Sequence, residues 1–334
     1  MRRALTLAAA IAGVAVMVAL VLHLGAGAVM RSLLAIGGLG FVTVCLMHLV
    51  VMVVMGLAWS VLLPGTPLWI AIWGRFVRDS GSEVLPLSQV GGYVLGVRAV
   101  ALAGVSATRG AASTIVDVTL EFVAQIGYAA LGVVWLLHLH SDAIAPLPVA
   151  LGIAVASVLA VAFVRVQRRG IKYVDRMAGF LGREWGDRTA AGAAALHEAL
   201  AAIYRRPAGV WASFLLHFAS WVSGSAEIWV ALRFAGQPLP FGSVIVIESM
   251  LYAIRSTAFA VPNAVGVQEG AYLLLGTAFG LPAEMALALS LLKRARDLVL
   301  GLPVIAVWQA IEGGRMWRRA GAPKAPAAPL ADRD

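Results

Sequence analysis

Four polar residues recur at intervals of four, four and three inside an otherwise apolar stretch: Asp117, Glu121, Gln125 and Tyr128. That spacing puts them on one face of a helix. At a rise of 1.5 Å per residue, Gln125 lies roughly 18 Å along the axis from Ser113. Two carboxylates one turn apart have three chemistries open to them: a divalent cation, a proton relay, or acid–base work on a bound molecule. Other apolar stretches carry ionisable groups too. His217, Ser220, Gly224 and Glu227 share one face, Glu248, Tyr252 and Arg255 share another, and Lys293, Arg294, Arg296 and Asp297 cluster in a fourth stretch. Each such group costs roughly 2.5–3.5 kcal/mol at the centre of a membrane helix, so each needs a partner or a task. Lys293 and Asp297, four apart, are predicted to pair. Arg294 and Arg296 then need partners elsewhere.

Two interruptions sit among these helices. Val261–Tyr272 reads V-P-N-A-V-G-V-Q-E-G-A-Y, with long apolar runs on both sides. Pro262, Gly266 and Gly270 mark a turn there, with Asn263, Gln268 and Glu269 as its polar side chains. Glu83–Tyr93 is similar, with Pro86, Gly91 and Gly92 at its turn and Arg98 beyond. Irregular backbone at membrane depth is tolerated only against protein or a water-filled cavity. A loose repeat links the two: Arg78-Asp79-Ser80 precedes the first break and Arg255-Ser256-Thr257 the second. Paired broken segments in two halves point to a binding site between them. Buried charge has a plain explanation as glue between helices. Its spread over at least four helices and two breaks favours a polar cavity that accepts the head group of an amphiphile. Arg and Lys in that cavity suit an anionic or hydroxylated head.

The elements that position these residues are membrane helices. Of 334 residues, 61% are hydrophobic and 13% charged, about half the charged fraction of a soluble domain. Several runs reach the roughly 18 residues needed to cross a bilayer. The expected fold is all-α: a polytopic integral membrane protein with about 7–8 transmembrane helices and re-entrant half-helices. Spans are expected near 4–24, 33–63, 113–138, 146–166, 208–234, 241–260 and 283–310, with a short apolar piece at 271–281. Re-entrant segments are expected near 80–105 and 258–281, and an amphipathic surface segment at 167–207. All belong to one transmembrane domain, 1–314, followed by a disordered basic, Pro/Ala-rich tail at 315–334. Basic residues concentrate at the N-terminus, in 64–112, in 167–207 and in the tail. They place both termini on the cytoplasmic side.

The net charge of +9 belongs to these flanks, where it meets anionic head groups, and not to nucleic acid. Cys45 is the sole cysteine, so neither an intrachain disulfide nor a multi-cysteine metal site is expected. No phosphate-binding G-x-x-x-x-G-K-[ST] loop and no G-x-S-x-G nucleophile turn occur. No metal or other cofactor is expected.

The stretch Val261–Gly270 resembles the P-x-x-x-G-x-x-E signature of the flippase-like transmembrane region of lysylphosphatidylglycerol synthases and their stand-alone relatives. Leu287–Pro303, with Leu292-Lys293-Arg294-Ala295-Arg296, resembles the segment that follows the signature. Gly74–Ser80, Glu83–Gly92 and Ser113–Gln125 are similar to the hopanoid-biosynthesis-associated branch. The resemblance implies a bacterial inner-membrane protein that moves lipid, and does not imply aminoacyl-lipid synthesis; Pro262, Gly266 and Glu269 would form the signature turn. The expected partners are membrane lipids, a hopanoid or another anionic or hydroxylated lipid, and hopanoid-biosynthesis proteins. Two other functions fit the residues: a non-transporting scaffold for hopanoid enzymes, and a lipid-modifying enzyme built on Asp117 and Glu121.

Overall fold

The computed structural model describes residues 2–84, 89–139, 183–258 and 261–320. The span expected at 146–166, most of the basic stretch before 183, Pro86 and the tail beyond 320 lie outside them. Among the described residues there are ten α-helices and no strand: α1 (Arg2–Leu24), α2 (Ala26–Ser60), α3 (Leu68–Val84), α4 (Gln89–Leu102), α5 (Ala107–Leu139), α6 (Arg183–Tyr204), α7 (Pro207–Phe234), α8 (Phe241–Thr257), α9 (Val267–Ala278) and α10 (Ala283–Ala320), with a 3-10 turn at Pro262–Ala264. Three helical stretches are long and apolar enough to cross a membrane: Ala26–Ser60, Ala107–Leu139 and Ala283–Gly314.

Some boundaries differ from those the sequence suggests. The connection expected at 25–32 shrinks to Gly25, whose φ of 86° breaks the helix, and Arg31 falls inside α2. α5 starts at Ala107, one to two turns early, because the polar residues before 113 still continue the helix. α10 runs through Ala320, so 315–320, expected as disordered tail, is helical.

The two breaks become two helical hairpins. α3 and α8 have 17 residues each, about 25 Å of helix, too short for a hydrocarbon core of about 30 Å. α4 returns against α3 at very close range. A Cβ on Gly92 would lie 1.9 Å from Ser82 Oγ and 2.6 Å from the Arg78 carbonyl oxygen, and one on Gly96 would lie 2.8 Å from Arg78 Cβ. α9 returns against α8 with Tyr272 and Leu251 buried between them. In its turn Asn263 and Ala264 have φ of 49° and 47°, and Gly266 of 82°.

A four-helix pattern occurs twice. α2, hairpin α3–α4 and α5 are followed, after α6, by α7, hairpin α8–α9 and α10. α3 packs on α10 as α8 packs on α5, and α5 packs on α7 as α10 packs on α2. The repeat-related helices α2 and α7 cross each other antiparallel: Gly40 lies against Phe234, His48 bonds Glu227, and the Val61 carbonyl lies near Gly209. Two halves related this way have inverted topology. α5 and α7, by contrast, run parallel, with Asp117 beside His217, Glu121 beside Trp221 and Tyr128 beside Ser225. Leu139 and Pro207 therefore lie at opposite ends of the bundle.

Candidate functional site: two charge networks and a hairpin junction

The polar stripes predicted from spacing face one another and form two networks. The first joins α3, α5 and α7. Arg75 Nε donates to Asp79 Oδ2 at 2.6 Å, its Nη1 to Asp117 Oδ2 at 3.2 Å, and its Nη2 to Glu121 Oε1 at 2.8 Å. Arg78 bonds the same two α5 carboxylates, Asp117 and Glu121, and lies over the Tyr93 ring at 4.7 Å. Asp117 Oδ1 is 2.9 Å from His217 Nε2, and both side chains are fully buried. Arginine serves here because its planar fork reaches two carboxylates at once.

The second network joins α8, α10, α7 and α2. Lys293 Nζ donates to Glu248 Oε2 at 2.7 Å and to the Tyr252 hydroxyl at 3.2 Å, while the Tyr272 hydroxyl donates to Glu248 Oε1. Arg296 bonds Glu227 and reaches Asp297 Oδ1 at 2.7 Å, and His48 Nδ1 lies 3.0 Å from Glu227 Oε1. The predicted Lys293–Asp297 pair does not form. A carboxylate on the facing helix takes the lysine, and Arg296 takes Asp297.

The networks occupy equivalent places in the two halves with the signs exchanged. Arg75 stands seven residues after the first residue of α3, and Glu248 seven after the first of α8. Asp117 stands ten after the first residue of α5, and Lys293 ten after the first of α10. A cation on the hairpin thus faces an anion on the long helix in one half, and the reverse holds in the other. The sequence repeat of Arg78-Asp79-Ser80 with Arg255-Ser256-Thr257 runs one helical turn out of this register.

Between the networks the hairpin tips meet. Asn263 Nδ2 donates to the Glu83 carbonyl at 3.0 Å, and Asn263 Oδ1 accepts from Arg255 Nη2 at 3.1 Å. Arg255 approaches Glu83 Oε1 only to 3.7 Å, and Glu83 Oε2 has no partner among the described residues. These two side chains keep 14% and 28% of their exposure. Gln125 ties this place to α5, donating to the Tyr252 carbonyl at 3.1 Å and to Ser256 Oγ at 2.6 Å.

Arg78, Glu83, Asp117, Glu121, Gln125, Arg255, Asn263, Lys293 and Arg296 are therefore gathered in or between the networks. Glu269 sits apart as the clasp of the second turn. It accepts from the Gly266 amide at 2.7 Å, from Ser290 Oγ at 3.0 Å, and from Arg294 through two bonds of 2.6 and 3.1 Å. Gln268 donates to Ser290 Oγ beside it at 2.9 Å. Of the predicted turn residues, Gly92 is a point of close helix approach, Gly266 takes a positive φ, and Gly270 has open space around it. Arg98 is not brought to the site: it is 45% exposed and pairs with Glu312 at 2.7 Å.

The polar stripes predicted from spacing assign no role to Arg75, the most connected side chain of the first network. Its spacing from Arg78 and Asp79 was the available signal. His48 was missed as well, and a lone histidine in the 35-residue apolar helix α2 was the clue. Among the described residues no group of His, Cys, Asp and Glu has the arrangement of a metal site.

A sequence model of one family, described as lysylphosphatidylglycerol synthase TM region, matches residues 5–304. No curated protein and no solved structure matches.

Proposed function

The chain belongs to the lysylphosphatidylglycerol synthase TM region family, and from that premise we propose that it moves a polar-headed lipid between membrane leaflets. One observation carries the reading. Where two inverted hairpins meet, Arg255 and Glu83 are 3.7 Å apart, partly exposed, and one Glu83 oxygen has no partner among the described residues. Elsewhere the site's buried carboxylates and cations are engaged with one another at hydrogen-bond distance. The head group is taken at this junction, with the apolar body left in the bilayer. A hydroxyl satisfies both groups, accepting from the guanidinium and donating to the carboxylate; an anionic head satisfies Arg255 alone. A hopanoid is the specific candidate, suggested by the resemblance of Gly74–Ser80 and Ser113–Gln125 to the hopanoid-associated branch.

The inverted repeat supports a topology in which, of the described helices, α1, α2, α5, α7 and α10 cross and two re-entrant hairpins enter from opposite faces. With the span expected from the sequence at 146–166 this makes six, fewer than 7–8, because α3, α4, α8 and α9 are half-length. Basic flanks keep both termini on the cytoplasmic face of a bacterial inner membrane. The enzymatic alternative is disfavoured by the engagement of Asp117 and Glu121 with Arg75, Arg78 and His217.

Purified protein is reconstituted in phosphatidylcholine–phosphatidylglycerol vesicles carrying fluorescent phosphatidylglycerol or a fluorescent hopanoid. Transbilayer movement is read by dithionite quenching. The expected result is movement faster than in empty vesicles, slowed several-fold by Arg255→Ala and by Glu83→Ala. Movement equal to empty vesicles for both lipids overturns the reading.

A further inference from the structure

The two charge networks share an inventory. Among the described residues each holds two fixed cations, three carboxylates and one histidine, and in each the histidine is hydrogen-bonded to a carboxylate. With a neutral imidazole each network has one negative charge in excess; with a protonated imidazole each is balanced. Excess charge inside an apolar bundle is costly, so the histidine is the natural place for a proton.

His217 is the more enclosed of the two. α5 faces it with Asp117 and Glu121, and α3 adds Arg75 and Arg78, with Asp79 held on Arg75. α2 contributes Met55 to that arginine, and the packed face of α6 is apolar through Leu196 and Leu200. α8 presents Tyr252 to Trp221 of α7, and its Glu248 is taken by Lys293. With Nε2 directed at Asp117, the remaining nitrogen, Nδ1, is buried without a partner among the described residues, as is Ser213 Oγ one turn earlier.

We propose that lipid movement is coupled to protons, and that His217 Nδ1, with its ring held by Asp117, binds the coupling proton. This rests on the lipid-transport reading. The chemistry is one N–H bond made with a proton from water and broken by returning it to water. When the proton leaves, Asp117 and Glu121 carry the excess charge and draw harder on Arg75 and Arg78. Those arginines sit on α3, whose end carries Glu83. Gln125, one turn beyond Glu121, holds the end of α8 that carries Arg255. Both sides of the head-group junction are thus attached to the network that gains or loses the proton.

The test uses the full chain in phosphatidylcholine–phosphatidylglycerol vesicles with fluorescent phosphatidylglycerol and an internal pH dye. A tenfold proton gradient is expected to change the wild-type rate about fivefold or more, in the usual range of coupling between sites. A lipid gradient is expected to shift internal pH. His217→Gln removes both responses; His138→Gln, at an exposed helix end, keeps them. Wild-type movement indifferent to the gradient, or a full response in His217→Gln, overturns the proton site and leaves lipid transport standing. A proton signal that depends on His217 without lipid movement overturns the lipid reading and keeps the site. Neither signal overturns both. If His217→Gln does not fold, nitrogen-15 histidine spectra of the wild-type chain in nanodiscs decide. A slowly exchanging imidazole that takes both its neutral and its doubly protonated forms as pH is varied, and that persists in His48→Gln, supports the site. Buried histidines that hold one form throughout overturn it.

Discussion

The two halves solve one packing problem with opposite charges. Arg75 on the first hairpin reaches Asp117 on the long helix that follows it; Glu248 on the second hairpin is reached by Lys293 on its own long helix. Position is kept while sign is exchanged. A ligand of fixed charge cannot be bound in the same way by both, so what the pairs share is mechanical: each ties a half-length hairpin helix to a full-length neighbour. The junction differs from both. It lies between the halves, occurs once, and holds an ion pair that closes only to 3.7 Å.

The comparison breaks most severely if one sign is reversed alone. Arg75→Glu leaves four carboxylates facing Arg78, and breaking a buried pair costs about 3–5 kcal/mol. The expected outcome is loss of monodisperse protein on size exclusion in detergent. The double variant Arg75→Glu, Asp117→Lys imposes the polarity of the second half and is expected to recover part of the folded yield. A double variant no better than the single one means the two pairs are not interchangeable in kind. A second test concerns glycines. Gly92→Ala places a methyl 2.6 Å from a backbone oxygen and is expected to cost about 1–3 kcal/mol as overpacking, seen as a lower thermal midpoint. Gly270→Ala in the other hairpin meets nothing within 4 Å and is expected to be neutral or to gain up to about 1 kcal/mol in helix propensity. Arg294→Lys removes one of the two bonds to Glu269, and about 1.5 kcal/mol with it, with charge retained; a midpoint drop shared by Arg294→Ala alone refutes the bidentate role. Arg98→Ala loses an exposed pair and is expected to change stability by less than about 1 kcal/mol.

Much of this arrangement was legible in the sequence. Proline and glycine between apolar runs marked both hairpins, and helical spacing placed Asp117, Glu121 and Gln125 on one stripe. Partners were harder to read, because spacing reports neighbours along one helix and buried charges find theirs across helices. Lys293 illustrates this: its sequence neighbour Asp297 was the expected partner, and Glu248, 45 positions away, is the actual one. The sign exchange also hid the repeat. A search for matching residues aligned Arg78 with Arg255, whereas the helices align Arg75 with Glu248. Arg98 failed for another reason, since an arginine near the end of a half-helix can reach the surface as readily as the interior.

The separation in sequence of the bonded residues orders the assembly of the chain. Arg75 and Asp117 are 42 positions apart, while Asn263 and Glu83 are separated by 180. At a synthesis rate of roughly 5–20 residues per second, the second interval lasts about 10–40 s. The first hairpin can therefore be neutralised by its own long helix early in insertion, while its tip waits for a partner not yet made. Contact between the hairpins is acquired late in synthesis, and the surface that faces the head group is completed with it.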